Sequence, residues 1–394
     1  MTVYLDHAAT TPLRTEVLEA YARALRSVGN PSSSHRAGQS ARDLVETGRE
    51  QVAAALDADP VEVLLTAGGT EAVNLGIKGL YWARRAADPA RRRILVPRGE
   101  HAATTESVAW LARHEAAEVQ WIPLDALGRL DLAAAAAALD AHPREVALVS
   151  TVWASNEVGT VQPIRELAAL AARHGVPVHV DGIGAVGQVP VAFRTSGIAA
   201  LSIAGHKLGA PVSTGALILG REWSVEPLLH GGDQQRGRSG TEDAAGAVAL
   251  GLAAELAARE LPETAPRVAA LRDRLLRGIR ERVPDATLRG DPDPGGRLPG
   301  NAHITVAGAD GDGLLYLLDA AGFAVSTGAA CRAGVTSPSP VLMAMGLDET
   351  TARGALRMTL GGTTTTAEVD ALLEVLPAVV ERARAAVAAS RSLG

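Results

Sequence analysis

Cysteine is almost missing from this sequence: 394 residues hold one thiol, Cys331. A lone cysteine forms no internal disulfide and no multi-cysteine metal site, a usage that fits a reducing compartment. An excess of either charge is missing too. With 44 acidic and 38 basic side chains the formal charge is −6, which gives no electrostatic case for gripping nucleic acid. No uninterrupted apolar run reaches membrane-spanning length, and the alanine stretch Ala133 to Ala138 is far too short. Met1 to Leu5 lack the basic and apolar regions of a signal peptide. These absences predict a soluble, cytoplasmic protein with no membrane contact, no direct nucleic-acid contact and no metal site.

What is present points to an ordinary globular core. The hydrophobic fraction is 47%, too high for wholesale disorder, and the length exceeds what one core usually supports. Short apolar runs rich in β-branched residues alternate with alanine-rich amphipathic stretches. Strands are expected at 61–66, 93–97, 119–123, 146–151, 176–181, 200–204 and 216–219, and helices at 40–56, 70–86, 104–114 and 164–174. That alternation implies a mainly parallel seven-stranded sheet covered by helices. The pattern changes after Gly251: a long helical region, roughly Ala244 to Val283, leads into a Gly-, Asp- and Pro-rich loop from Arg289 to Pro299. A strand at 302–306, a helix at 311–321, a strand at 323–326 and two more helices should follow, the last from about Thr366 to Ala389. The expected organisation is a large α/β domain over 15–260 and a smaller α/β domain over 261–394, joined by residues 1–14.

Several strand ends carry chemistry. In Ala204-Gly205-His206-Lys207 a lysine follows a buried strand, where the carboxyl ends of a parallel sheet form the ligand crevice. Partial desolvation there lowers a lysine pKa and lets it form a Schiff base; alone, the tripeptide fits a surface-loop lysine better. Val178-His179-Val180-Asp181 ends another apolar strand in an acid, which in isolation reads as a turn or helix cap. Together they suggest pyridoxal phosphate, whose aldehyde needs an amine and whose ring nitrogen needs a carboxylate. Thr66-Ala67-Gly68-Gly69-Thr70-Glu71, between a strand and a helix, offers free backbone N–H groups for a phosphate, or is a plain tight turn. Arg236-Gly237-Arg238-Ser239-Gly240-Thr241 adds a hydroxyl and a cation, or is a flexible loop. His101, after a strand, suits ring stacking and proton transfer as well as simple capping. Asn156 suits a cofactor or substrate oxygen as well as a turn. Cys331 lies in a small, polar, turn-rich segment beside Arg332, which favours thiolate over a buried thiol. Arg357 interrupts an apolar strand-like run; pointing inward it needs an anion such as an amino-acid carboxylate, and otherwise it sits outward on an edge strand.

These segments, in this order, together with Tyr4-Leu5-Asp6-His7-Ala8-Ala9-Thr10-Thr11-Pro12 and Gly29-Asn30-Pro31-Ser32-Ser33-Ser34-His35, resemble the cysteine desulfurases of the class V aminotransferase family over nearly the whole chain. The resemblance implies a fold type I pyridoxal 5'-phosphate enzyme, homodimeric, with active sites at the interface. It implies that Lys207 holds the cofactor aldehyde, Asp181 the ring nitrogen and His101 the ring face. Gly69, Thr70 and His206 would bind the phosphate, with Thr241 reaching the partner's phosphate site. Arg357 and Asn156 would hold L-cysteine, and Cys331 would take its sulfur and pass it to an acceptor protein, an iron–sulfur scaffold or a transfer-RNA-thiolation enzyme. Glycine at 184 stands where the family usually has a glutamine, and Ala204 where it has a serine. Losing one hydrogen bond to a charged group costs about 1.5–3 kcal/mol. These departures keep two alternatives in play: a related β-lyase acting on selenocysteine or a cysteine conjugate, and a degenerate sulfur-trafficking scaffold.

Overall fold

The computed structural model describes residues 2–328 and 338–392, with the side chains of 390–392 left aside. Seven strands form the main sheet: β2 (Val63–Thr66), β3 (Arg93–Pro97), β4 (Glu118–Ile122), β5 (Val146–Val152), β6 (Val178–Asp181), β7 (Ala200–Ala204) and β8 (Gly215–Leu219), following β1 (Val3–Tyr4) in the chain. Their order is β2-β8-β7-β6-β5-β3-β4, and β8 alone runs antiparallel to its neighbours. β5, β7 and β8 are buried along their whole length, as expected of apolar strands covered on both faces. The chain winds outward through β3 and β4, then returns to β5 and winds the other way through β6 and β7. The reversal opens a crevice at the carboxyl ends of β3, β5, β6 and β7, and the ligand-binding residues of such sheets gather there.

A second unit is built on β9 (Ala286–Leu288), β10 (Asn301–Val306), β11 (Phe323–Ala324) and β12 (Ala355–Thr359). β12, β10 and β9 form an antiparallel sheet, and β1 pairs in parallel with β11. The helix Ala244–Arg282 serves both units. Its residues Leu250, Ala253 and Ala257 pack into the core beneath the large sheet, whereas Val268, Leu275 and Ile279 join Ile304, Val306 and Leu356 in the second core.

Local chemistry explains where expected and observed elements differ. The strand expected from Val61 starts at Val63, because Pro60–Glu62 forms a 3-10 turn with proline in its first position. The helix expected from Ser40 starts at Arg36, capped by His35, whose Nδ1 accepts from Gly38 N–H at 3.2 Å. The helical run expected over 70–86 contains a π segment, Leu75–Gly79, between Gly69–Asn74 and Leu80–Ala87. Residues 132–141, quoted only as an alanine stretch, form the helix Leu132–Ala141, with Asp131 accepting from Ala133 and Ala134. In place of the strand expected over 323–326 there are two strand residues and an isolated bridge at Ser326. Among the described residues three helices follow: Pro340–Ala344, Glu349–Arg353 and Thr366–Ser392. No helix among the described residues is long and apolar enough to cross a membrane.

Candidate active site

Four strand ends deliver side chains to one cavity of about 230 Å³, lined by His101, Asn156, Asp181, His206 and Lys207. Lys207 closes a 3-10 turn, Gly205–Lys207, that follows β7 directly. Its Nζ donates to the carbonyl of Ala9 at 2.9 Å and to that of Ala8, so the N-terminal segment lies across the amine. Burial, and after it the Arg357 charge, bring the amine down to about 8, against the opposing pull of Asp181 and Asp6. About a tenth of this lysine is therefore neutral and nucleophilic at pH 7, far more than at its ordinary value.

Asp181 ends β6 and is 4% exposed. Its Oδ1 accepts from Ile183 N–H at 2.9 Å. Burial raises its pKa, while His101, the Ile183 N–H and Lys207 oppose the rise. A cation brought to such a carboxyl group would stabilise its anion further, and a protonated ring nitrogen is one.

His101 caps the helix Ala102–Glu115, its Nδ1 accepting from Ala103 N–H at 3.1 Å. It does so while lining the cavity, so capping and a site role coexist. With Nδ1 occupied as acceptor, the neutral ring carries its proton on Nε2. His206 contacts Thr10 Oγ1 at 3.2 Å, and burial followed by the Lys207 charge lowers its pKa.

At the other wall, Gly69 and Thr70 open a helix behind Gly68, whose φ is +112°. A Cβ on Gly69 would lie 2.3 Å from Ile183 Cδ1 and 3.0 Å from Ala204 Cβ, so only glycine keeps this wall without displacing its neighbours. Free N–H groups at that helix start suit an anion. The residues present therefore fit a pyridine aldehyde bearing a phosphate: amine, acid and N–H cradle line the same cavity. Gly184 and Ala204 also line it and contribute no polar side chain.

One expected residue lies at another cavity. Thr241 is exposed and lines a separate cavity of about 120 Å³ with Arg238 and Glu242. Cys331 falls outside the described residues. Arg357 is not the outward-facing edge arginine that its strand position allowed. It is 4% exposed; its Nη2 meets Asp6 Oδ1 at 2.8 Å and its Nη1 donates to the Asn156 carbonyl at 3.0 Å. The anion at Arg357 is thus Asp6 of the same chain, which the sequence reading left without a role although it stood in a quoted segment.

A second missed residue is Glu100, 6% exposed. Its Oε1 accepts from Val152 N–H at 3.0 Å and from Thr151 Oγ1 at 3.2 Å, and Oε2 has no partner among the described residues. Burial carries its pKa to about 8, with Asp181 adding to the rise. The signal available in the sequence was an acid directly before His101 at a strand end.

An amine held near neutrality beside a buried acid is what the aldehyde and ring nitrogen of pyridoxal 5'-phosphate require, and on this sheet the pair defines an enzyme of fold type I. The sequence pattern of the aminotransferase class-V family matches residues 3–372. An IscS-like cysteine desulfurase of Mycobacterium tuberculosis is 52% identical over 388 residues, 98% of each chain. A cysteine desulfurase of Cereibacter sphaeroides is 45% identical over 386 residues, 97% of each chain. The solved structure of a NifS-like protein superposes with a TM-score of 0.87 at 30% identity, covering 97% of this chain and 100% of that one. The structure of SspA in complex with cysteine gives 0.78 at 28% identity, covering 92% and 100%. The chain belongs to the class V aminotransferase family, in its cysteine desulfurase branch, and its cofactor is pyridoxal 5'-phosphate.

Proposed function

We propose that this enzyme is a cysteine desulfurase that converts L-cysteine to L-alanine and takes the sulfur onto Cys331 as a persulfide. The observation that carries the reading is the convergence of Lys207 and Asp181, from adjacent strands, on one cavity. Lys207 would hold the cofactor by its aldehyde, Asp181 its ring nitrogen, His101 its ring face, and Gly69, Thr70 and His206 its phosphate. When bound, the group supplies an electron sink for the electrons of a broken Cα–H bond.

The chain's own residues then have separate tasks. Arg357 and Asn156 orient the substrate carboxylate. Lys207, with a pKa of about 8, takes the Cα proton at Nζ as a general base suited to neutral pH. The Cys331 thiolate attacks the substrate sulfur: an S–S bond forms as the Cβ–S bond breaks, and the electron pair stays with the amino acid. Lys207 would return its proton to Cα, the proton released from the substrate thiol would go to Cβ with His101 as its shuttle, and the product would leave as L-alanine.

The enzyme would work in the cytoplasm as a homodimer. Thr241 lines a cavity separate from the chain's own Lys207 cavity, as a residue serving a partner's phosphate site would. The persulfide sulfur would pass to an acceptor protein, an iron–sulfur scaffold or a transfer-RNA-thiolation enzyme. Gly184 and Ala204 support a second reading, a β-lyase acting on selenocysteine or a cysteine conjugate, because they leave the cavity with fewer donors.

The deciding experiment measures L-alanine released from L-cysteine and the mass of the protein after one turnover. Wild type should gain one sulfur atom and Cys331→Ser none. Alanine production undiminished in Cys331→Ser would refute the persulfide route, and faster turnover of selenocysteine than of cysteine would favour the second reading.

A further inference from the structure

The Lys207 amine is held by backbone alone. Among the described residues its Nζ donates to the carbonyls of Ala8 and Ala9, the second at 2.9 Å, and to no side chain. The charged groups that act on it are Arg357 on β12, Asp181 on β6 and Asp6, all without a hydrogen bond, and its own charge acts on His206 beside it.

The turn that supplies these carbonyls is pinned on every side. Ala9 N–H donates to the Asp6 carbonyl at 2.9 Å. The Tyr4 hydroxyl closes the turn, lying 2.9 Å from the Thr10 carbonyl and 3.0 Å from that of Asp6. Thr359, 4% exposed, accepts from Ala8 N–H on its Oγ1 at 2.8 Å and bridges to Asp6. It stands two residues after Arg357 on β12, so one strand takes both the Asp6 side chain and the Ala8 N–H. Downstream, Thr11 donates its N–H and its hydroxyl to the His206 carbonyl at 3.0 Å and 2.9 Å, and Arg14 N–H donates to the Gly209 carbonyl at 3.0 Å. Residues 6–14 are thereby fixed to the second unit at one end and to the Lys207 turn at the other.

The number of acceptors decides what such a site does. A lysine ammonium has three N–H donors and no lone pair; the neutral amine has two donors and one lone pair. Two carbonyls occupy two N–H groups in either form. One position is then left over: a lone pair that takes a proton, or the N–H that gives it back. Rotation about the Cε–Nζ bond, free in an exposed lysine, is fixed.

We propose that the turn at Ala8 and Ala9 is a holding site for the Lys207 amine whenever its nitrogen is not joined to the cofactor, with Tyr4 and Thr359 as its positioning residues. By taking two N–H groups it leaves Lys207 a single position through which to exchange a proton with the substrate Cα. This rests on the reading of Lys207 as the group that holds the cofactor aldehyde and moves the Cα proton.

Two measurements test it, the first on the apoprotein. Carbonyl acceptors favour the ammonium over the amine, because hydrogen bonds from a charged donor are the stronger ones. The pH at which uptake of pyridoxal phosphate reaches half its maximal rate follows that balance. Thr359→Val and Tyr4→Phe each remove one pin with little change in volume. Both should move the midpoint down by about half a pH unit, roughly threefold in the ratio of amine to ammonium. The second measurement, on the holoenzyme, is exchange of the Cα hydrogen of L-alanine with solvent deuterium. It should slow about tenfold in both variants, the scale of a misplaced reacting group, with KM for L-alanine little changed. Thr359→Ser keeps the acceptor for Ala8 N–H and should restore both readouts. Tyr4 is only half-buried and keeps its ring in Tyr4→Phe, so that variant decides the matter if Thr359→Val fails to fold. A wild-type midpoint or a wild-type exchange rate in the folded variants overturns the proposal, even where the thermal midpoint falls, as it would for a plain structural strap. Colour taken up by Lys207→Ala at the wild-type rate, with exchange retained, overturns instead the reading of Lys207 on which it rests.

Discussion

Arg357 holds Asp6, 351 residues earlier in the chain, at 2.8 Å between Nη2 and Oδ1. A substrate carboxylate brought to Arg357, as proposed above, would meet a guanidinium already engaged by an acid and by the Asn156 carbonyl, with Nε still lacking a partner among the described residues. The pair is largely removed from water, with side-chain exposures of 5% and 20%, so its loss is felt in the fold as well as the site.

Asp6→Asn should therefore act in two directions. Removing a hydrogen bond between charged groups is expected to destabilise the protein by about 1.5–3 kcal/mol, visible as a lower thermal midpoint. Freed of its acid, Arg357 should attract the substrate carboxylate more strongly, so KM for L-cysteine should fall severalfold. An unchanged midpoint together with an unchanged KM would show that the ion pair contributes to neither.

Lys207 gives a pH dependence. Its pKa of about 8 means that the neutral amine, the form that attacks an aldehyde, is half of the population at that pH and most of it about one unit above. Uptake of pyridoxal phosphate by the apoprotein, followed by visible absorbance, should accelerate up to about pH 8–9 and then level off; a lysine at its ordinary value would keep accelerating past about pH 10. Lys207→Ala should take up no colour that survives gel filtration.

Glu100 should leave a signature in stability. Its folded pKa of about 8 lies above the ordinary value of 4.5, so the folded state binds the extra proton between them. The stabilisation associated with the neutral acid is complete below the ordinary value and is lost as pH rises through that window, at most about 1.4 kcal/mol per pH unit. Glu100→Gln has no proton to lose, so urea midpoints of wild type and variant should diverge as pH rises, the variant becoming relatively more stable. Parallel curves would mean that Glu100 titrates at its ordinary value.

The parts of this site readable in the sequence are those set by local rules. β3 and β7 have the expected bounds because their apolar runs are flanked by arginine, proline and glycine, and a strand's end fixes where the next side chain emerges. Lys207 and Asp181 were legible for that reason. The long-range partners were not. Asp6 meets Arg357 across 351 positions, Ser339 meets Glu157 across 182, and Glu100 finds Val152 across 52. No periodicity encodes such a pairing; it exists only once the sheets are stacked. Local spacing also missed the 3-10 turn Pro60–Glu62 and the π segment Leu75–Gly79, since a one-residue change in hydrogen-bond register leaves the apolar pattern almost intact.

The N-terminal segment has a consequence for biosynthesis. Leu5 accepts from Thr359 N–H at 2.7 Å, Ala8 donates to Thr359 Oγ1 at 2.8 Å, and the Ala8 and Ala9 carbonyls receive the Lys207 amine. Ala8 is made 351 residues before Thr359 and must wait for it before it finds this partner. A nascent chain can assemble β2 to β8 early, yet the Lys207 amine stays uncovered until the strand carrying Thr359 has been made. Contacts this distant in sequence slow maturation, and they couple the covering of the Lys207 amine to formation of the second unit.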